Sequence, residues 1–175
     1  MNPDVYIRAL RFASQAHGEQ RMPDRDHPYI VHPVMVAAEV LASLQVEAGD
    51  HDLAVACALL HDVVEDTETS LDRIHHAFGK EVAAGVAALT KRRDLLKHEA
   101  MADSLRRIRE QPREVWMVKL ADRIVNLTPP APGHWDTAKK QRYREEGHKI
   151  HDALAEASPH LAARLRRRIA DYPVE

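Results

Sequence analysis

Apolar residues recur along this chain at three- and four-residue intervals, and strict apolar–polar alternation is missing. That is the period of helices buried on one face, not of strands. Residues 4–17 form the first predicted helix, with Val5, Leu10, Phe12, Ala13 and Ala16 on its apolar side. GEQRMPDRDHP, residues 18–28, is charged and rich in turn formers, and predicts a loop. Pro33 opens a helix over 33–44, with Val34, Ala37, Ala38 and Leu41 inward. Gly49 and Asp50 break the chain, and Asp50 caps a central helix that runs to Thr67. Thr69 with Asp72 has the spacing of a capping box for a short helix ending near Phe78 and Gly79. Residues 80–90 predict a helix of small residues, and 95–110 a surface helix with a basic face. Residues 113–127 are apolar except around Lys119, Asp122, Arg123 and Asn126, and TPPAPG at 128–133 stops that helix. A polar helix over 136–157 and a basic one from Ser158–Pro159 to Tyr172 complete the series. The expected fold class is all-α, an irregular multi-helix bundle without internal repeats.

The central helix contains the most unusual polar arc, in ALLHDVVEDTET, residues 58–69. With His61 at zero on a helical wheel, Glu65 falls near about 40°, Asp62 near about 100° and Asp66 near about 140°. Leu59, Val63, Ala56, Leu60, Leu53, Val64 and Cys57 fill the other side. A solvated face usually interleaves acids with Lys and Arg, because opposite charges one turn apart stabilise a helix. This arc has no cation. Three carboxylates within two turns call for a positive charge between or above them, and a divalent ion supplies it.

Composition narrows the classes. A chain of 175 residues with 45% hydrophobic and 30% charged content has the profile of one soluble globular domain, expected to span residues 1–175. A formal net charge of −2 and 5% aromatic residues argue against a nucleic-acid polymer as partner. The single cysteine, Cys57, excludes an intramolecular disulfide and fits a cytoplasmic location. No membrane span or leader pattern is seen, so no membrane partner is expected; an oligomer is compatible with the sequence.

Two further sites complete the chemistry. Asp122 lies in the middle of an apolar helix, with Lys119 and Asn126 on its face, and a buried carboxylate needs a partner or a metal. His32 stands before Pro33 at a helix start and can point inward. Together His32, His61, Asp62 and Asp122 form a candidate ligand set of two nitrogens and two oxygens. Such a set suits Mn, Fe, Zn or Mg, with Mn or Fe favoured over Ca. Glu65 and Asp66, one turn beyond His61 and Asp62, are the candidate acid–base pair for a water at the metal. Arg21, Lys119, Arg123 or Lys140 could neutralise phosphate charge. Taken singly, each of these has an ordinary structural reading: a proline-flanked histidine, an Asp122–Arg123 or Asp122–Lys119 pair, a polar helix end. Their joint occurrence favours the metal site. His75, His76, His98, His148 and His151 form no such constellation and read as surface or cap residues.

The stretches RFASQAH, PYIVHP, ACALLHDVVEDTETSLDRIHHAFGKEVAAGVAALTK, VKLADRIVNL and QRYREEGHKI resemble the HD-domain metal-dependent phosphohydrolases. More narrowly, they resemble the hydrolase domain of the Rel/SpoT enzymes and the stand-alone small alarmone hydrolases. The resemblance implies an all-α HD-domain bundle, Mn as cofactor, and hydrolysis of the 3′-pyrophosphate of guanosine tetra- or pentaphosphate, a small anionic nucleotide. It implies metal binding by His32, His61, Asp62 and Asp122, catalysis by Glu65 and Asp66, and substrate contact by Asn126 and Tyr143. It also marks departures. The family pattern H-x-x-Q-x-R-K becomes HGEQRMP, so Met22 and Pro23 replace an Arg-Lys pair, leaving Arg21 or Arg25 as the nearest cations. An Arg expected beyond Asn126 is Thr128, followed by two prolines. No synthetase or regulatory segment is expected. Competing expectations are hydrolysis of another nucleotide or dinucleotide such as NADPH, a catalytically silent nucleotide sensor, and a plain helical interaction protein.

Overall fold

The computed structural model describes the chain except residues 23–25, Arg93 and Glu175, and the side chains of Lys97 and His98. Among the described residues the secondary structure is helical, apart from an isolated bridge between Arg21 and Pro28. None of these helices is long and apolar enough to cross a membrane.

Helix α1 (Pro3–His17) starts at Asn2, whose side chain accepts from the Asp4 amide. Pro3 fits the first turn, where no N–H is needed. Helix α2 (Val31–Leu44) begins ahead of Pro33, so His32 is itself helical. Helix α3 (His51–Leu60) is capped by Asp50, which accepts from the amides of Asp52 and Leu53. The central helix does not continue to Thr67. It breaks at His61 and Asp62 and resumes for one turn as α4 (Val63–Asp66). The cause is local. The His61 ring nitrogen Nδ1 lies 2.8 Å from the Ala58 carbonyl, the acceptor that the Asp62 amide takes in a continuous helix. Asp62 is left at φ −99°, ψ −7°, in the sparsely populated bridge region.

Helix α5 (Leu71–Phe78) is capped by Ser70, which accepts from the Arg73 amide. The capping box expected from Thr69 therefore does not form; the Thr69 amide donates to the Thr67 hydroxyl instead (3.1 Å). Gly79, at φ +89°, turns the chain into α6 (Lys80–Leu89). Then follow α7 (Lys97–Arg109), α8 (Arg113–Asn126) and α9 (Thr137–Leu154). The polar helix expected to reach residue 157 ends at Leu154 in a 3-10 turn, Ala155–Ala157. Helix α10 (Pro159–Asp171) closes the chain, capped by Ser158.

Helices α3 and α8 form the centre. Every residue from 53 to 60 is buried, and α3 packs against α1, α2, α6 and α8. A run with no polar face can be helical in water only when surrounded on all sides. Ala54, Ala56, Cys57 and Ala58 make that possible by keeping the helix thin. Helix α8 buries residues 114, 115 and 117–124 against α2, α3, α9 and α10. Arg164 reaches from α10 to α2 and grips both Glu39 oxygens. The three helices that carry the candidate ligands are thus mutual neighbours in the best-packed part of the molecule.

Gly85 marks how close this packing is. A Cβ there would lie 2.7 Å from Cys57 Sγ and 3.0 Å from Val115 Cγ2. Gly85→Val is expected to destabilise the protein by about 2 kcal/mol or more through overpacking, outweighing its gain in helix propensity. Thermal or urea denaturation would show this; an unchanged midpoint would refute it.

Candidate metal centre and active site

His32 sits in the first turn of α2, its amide bonded to the Tyr29 carbonyl (2.9 Å). The missing N–H of Pro33 is tolerated there because first-turn amides have no intrahelical partner. His61 and Asp62 sit at the break after α3, and Asp122 in the middle of α8. His32, His61 and Asp122 bring one ligand atom each within 4.8 Å of one another. The two Nε2 atoms are 3.3 Å apart, and His32 Nε2 is 3.4 Å from Asp122 Oδ1. Asp62 Oδ2 joins them at 3.0 Å from His61 Nε2 and 3.5 Å from His32 Nε2. His61 Nε2 to Asp122 Oδ1 is 3.9 Å. Ligands about 2.1 Å from a common ion lie about 3.0 to 4.2 Å from one another, so these separations fit.

The supporting contacts turn lone pairs toward the same point. A carbonyl only accepts, so His61 carries its proton on Nδ1 and aims Nε2 at the cluster. Asp122 is held from both sides: Lys119 Nζ lies 2.9 Å from Oδ2, and the Asn126 amide donates to Oδ1 at 2.5 Å. The Tyr29 hydroxyl reaches Asp62 Oδ2 at 2.6 Å and Asp66 Oδ2 at 3.0 Å, and its one proton serves both carboxylates. His17 is buried beside Tyr29, its ring centre 4.6 Å from the Tyr29 ring and tilted 36° to it.

The field at the cluster favours positive charge. Burial opposes charge on His61, yet the carboxylates of Asp62 and Asp122 carry its pKa up to about 9. Burial likewise opposes ionisation of Asp122, but the Lys119 ammonium and the two imidazoles hold its carboxyl well below the usual carboxylate range. Asp62 is lowered in the same way, its own burial outweighed by His61. Burial and the Asp62 charge keep the Tyr29 phenol protonated, as a hydrogen-bond donor must be.

Glu65 and Asp66 line the same cavity, of about 210 Å³, with the four ligands. Glu65 is held by Lys91, through its amide to Oε2 (2.9 Å) and its ammonium to Oε1 (3.1 Å). Asp66 is set by Tyr29 and by the Gln20 side chain, which donates to its carbonyl (2.8 Å). Burial and the Asp62 charge raise the Asp66 carboxyl above its ordinary value.

The expected substrate contacts divide. Lys119 and Asn126 line the cavity. Asn126 and Tyr143 line a second cavity of about 310 Å³, which shares Met22, His32 and Asn126 with the first. Pro130, Pro132, Trp135 and Thr128 form much of its wall. Arg123 lines neither: its guanidinium stacks 4.2 Å from the Tyr143 ring and bonds to the Tyr143 carbonyl and Glu146. It braces Tyr143 and does not face the ligand cluster. Arg21 is exposed and paired with Asp26 at 2.8 Å, outside both cavity walls, and Lys140 is also outside them. Arg25 falls outside the described residues. Sequence reasoning missed Tyr29, Lys91 and His17. Tyr29 and Lys91 each sat inside a stretch that carried the resemblance, PYIVHP and the terminal LTK, and His17 inside RFASQAH.

A family model described as HD domain matches residues 9–159. The guanosine-3′,5′-bis(diphosphate) 3′-pyrophosphohydrolase MESH1 of Mus musculus is 33% identical over 166 residues, which are 92% of this chain and 90% of the mouse protein. The guanosine-3′,5′-bis(diphosphate) 3′-pyrophosphohydrolase of Aquifex aeolicus is 39% identical over 124 residues, 69% of this chain but 17% of that protein. The solved structure of a metazoan orthologue of SpoT that hydrolyses ppGpp matches with a TM-score of 0.83 at 23% identity, over 100% of this chain and 99% of that one, and shows the fold. A family match that runs through all three ligand-bearing helices, with a relative matched nearly end to end, makes this chain a member of the HD-domain family.

Proposed function

We propose that this protein is a divalent-metal-dependent phosphohydrolase that removes the 3′-pyrophosphate of guanosine-3′,5′-bis(diphosphate). The observation that carries this reading is the convergence of two imidazoles and two carboxylates under Glu65 and Asp66, in a chain matched nearly end to end with the mouse pyrophosphohydrolase. His32, His61, Asp62 and Asp122 would hold the ion, and their mix of imidazole and carboxylate suits Mn²⁺. Such an ion supplies Lewis acidity, making a nucleophilic hydroxide accessible near neutral pH and drawing charge from the phosphoryl group.

The chain's own residues do the rest. Glu65 and Asp66 orient the attacking water, and Asp66, whose environment favours protonation, takes its proton. The water oxygen bonds to phosphorus, the bond from phosphorus to the 3′-oxygen breaks, and that oxygen takes up a proton as pyrophosphate leaves. Lys119 and Asn126 hold Asp122 in place. The second cavity, walled by Trp135, Tyr143 and prolines, receives the nucleoside.

One observation favours a second reading. Met22 lines both cavities and Thr128 lines the second, where the resemblance implies cations. Fewer charge-assisted bonds await a second diphosphate there, which suits another nucleotide or a dinucleotide such as NADPH.

A release panel in Mn²⁺ separates these readings. Guanosine-3′,5′-bis(diphosphate) is expected to yield pyrophosphate; orthophosphate from NADPH alone would select the second reading. Asp62→Asn is expected to cut turnover at least about a hundredfold and to abolish the Mn²⁺-induced thermal shift. Full activity in this variant would refute the ligand assignment.

The raised His61 pKa fixes a pH dependence. Below about 9 the ring carries a proton that the ion must displace, so apparent Mn²⁺ affinity is expected to rise about tenfold per pH unit from neutrality toward 9 and then level off. Calorimetry at pH 7.5 in buffers of different ionisation enthalpy should register about one proton released per ion. No release would contradict the assignment.

A further inference from the structure

Lys91 lines the cavity of the metal centre, but neither the ligand set nor the catalytic pair includes it. Its backbone is anchored. Arg107 of α7 donates to the carbonyls of Ala87, Ala88 and Thr90, closing the C-terminal end of α6. From that fixed position Lys91 holds both oxygens of Glu65, the amide on Oε2 and the ammonium on Oε1.

The two grips differ in kind. The amide belongs to the anchored main chain. The ammonium rides on a flexible four-carbon stem that is 46% exposed. Lys119, the other ammonium on the cavity wall, is buried and committed to Asp122. An arriving pyrophosphoryl group carries more negative charge than a single carboxylate, and so competes for the mobile cation.

We propose that Lys91 is a phosphate-contacting residue whose ammonium passes from Glu65 Oε1 to the pyrophosphoryl group of the substrate, while its amide keeps Oε2. Glu65 then stays where it is, and Oε1 exchanges the ammonium for the attacking water. The substrate's own charge converts an ion-paired carboxylate into a water-orienting one. This rests on the reading that the site cleaves a pyrophosphate ester.

The test needs no turnover. Inorganic pyrophosphate is titrated by calorimetry into the Mn²⁺-loaded protein at fixed Mn²⁺. Lys91→Met is expected to weaken binding about tenfold or more, and Lys91→Arg to keep it within about threefold of wild type. Glu65→Gln is expected to bind at least as tightly as wild type, because the ammonium has lost its charged competitor. The Mn²⁺-induced thermal shift should survive in all three. If Lys91→Met binds pyrophosphate like wild type and loses only kcat, Lys91 is a clamp on Glu65 and the proposal fails. If guanosine-3′,5′-bis(diphosphate) is not turned over but Lys91→Met still loses pyrophosphate affinity, the substrate reading falls and the Lys91 assignment stands.

Discussion

Two carboxylates and two imidazoles brought to one buried point cannot rest there without positive charge. Like charges about 4 Å apart repel by about 4 kcal/mol even at the effective dielectric of a protein surface, and more in the interior. The neighbours of this cluster answer that repulsion. Lys119 is spent on Asp122, the Tyr29 hydroxyl donates a hydrogen bond toward Asp62 and Asp66, and His61 is driven toward protonation. These contacts orient the acids without neutralising them all. The remaining demand for positive charge is what makes the cluster compatible with a divalent cation.

Holding such a cluster requires a rigid frame, and the frame explains the least water-like part of the sequence. Helix α3 has no polar face over residues 53–60, so it is stable only inside the bundle. Its burial delivers His61 and Asp62 to a fixed place beside α2 and α8. The break after Leu60 then serves the chemistry. It frees Asp62 from a regular helical position and turns Glu65 and Asp66 over the cavity in a separate turn.

Helix existence was legible because burial writes a period into the sequence, and caps such as Asp50 and Ser158 are local. The clustering of the candidate residues was legible for a related reason: acids without cations on an otherwise apolar element stand out. Most of what was not legible depended on contacts between distant segments, and the break at His61 on a contact only three residues back. The break at His61 comes from a ring competing for a carbonyl, which no residue pattern announces. Arg123 looked like a phosphate contact because it is a cation next to Asp122, but a step of about 100° along α8 sends it to Tyr143 and Glu146. Tyr29 and Lys91 carry common side chains in unremarkable local contexts. Their roles exist only because the turn before α2 and the residues just beyond α6 lie against the same turn of chain, α4.

The candidate site has two adjoining parts, the acid–imidazole cluster and the second cavity beside it. Around the cluster each acid has a partner: Tyr29 from the turn before α2, Lys91 from just beyond the end of α6, and Lys119 from α8. The second cavity shares Met22, His32 and Asn126 with the first, and the rest of its wall comes mainly from residues 128–135, joined by Met35, Val125 and Tyr143. Closely packed segments resist change because shifting one candidate ligand would break up the cluster. Loop walls can be rebuilt without disturbing it. Of the departures from the family pattern, Met22 lines both cavities and Thr128 the second, while Pro23 falls outside the described residues. The wall at residues 128–135 can therefore vary with little effect on the acid–imidazole cluster, although Met22, His32 and Asn126, which line both cavities, tie the two together.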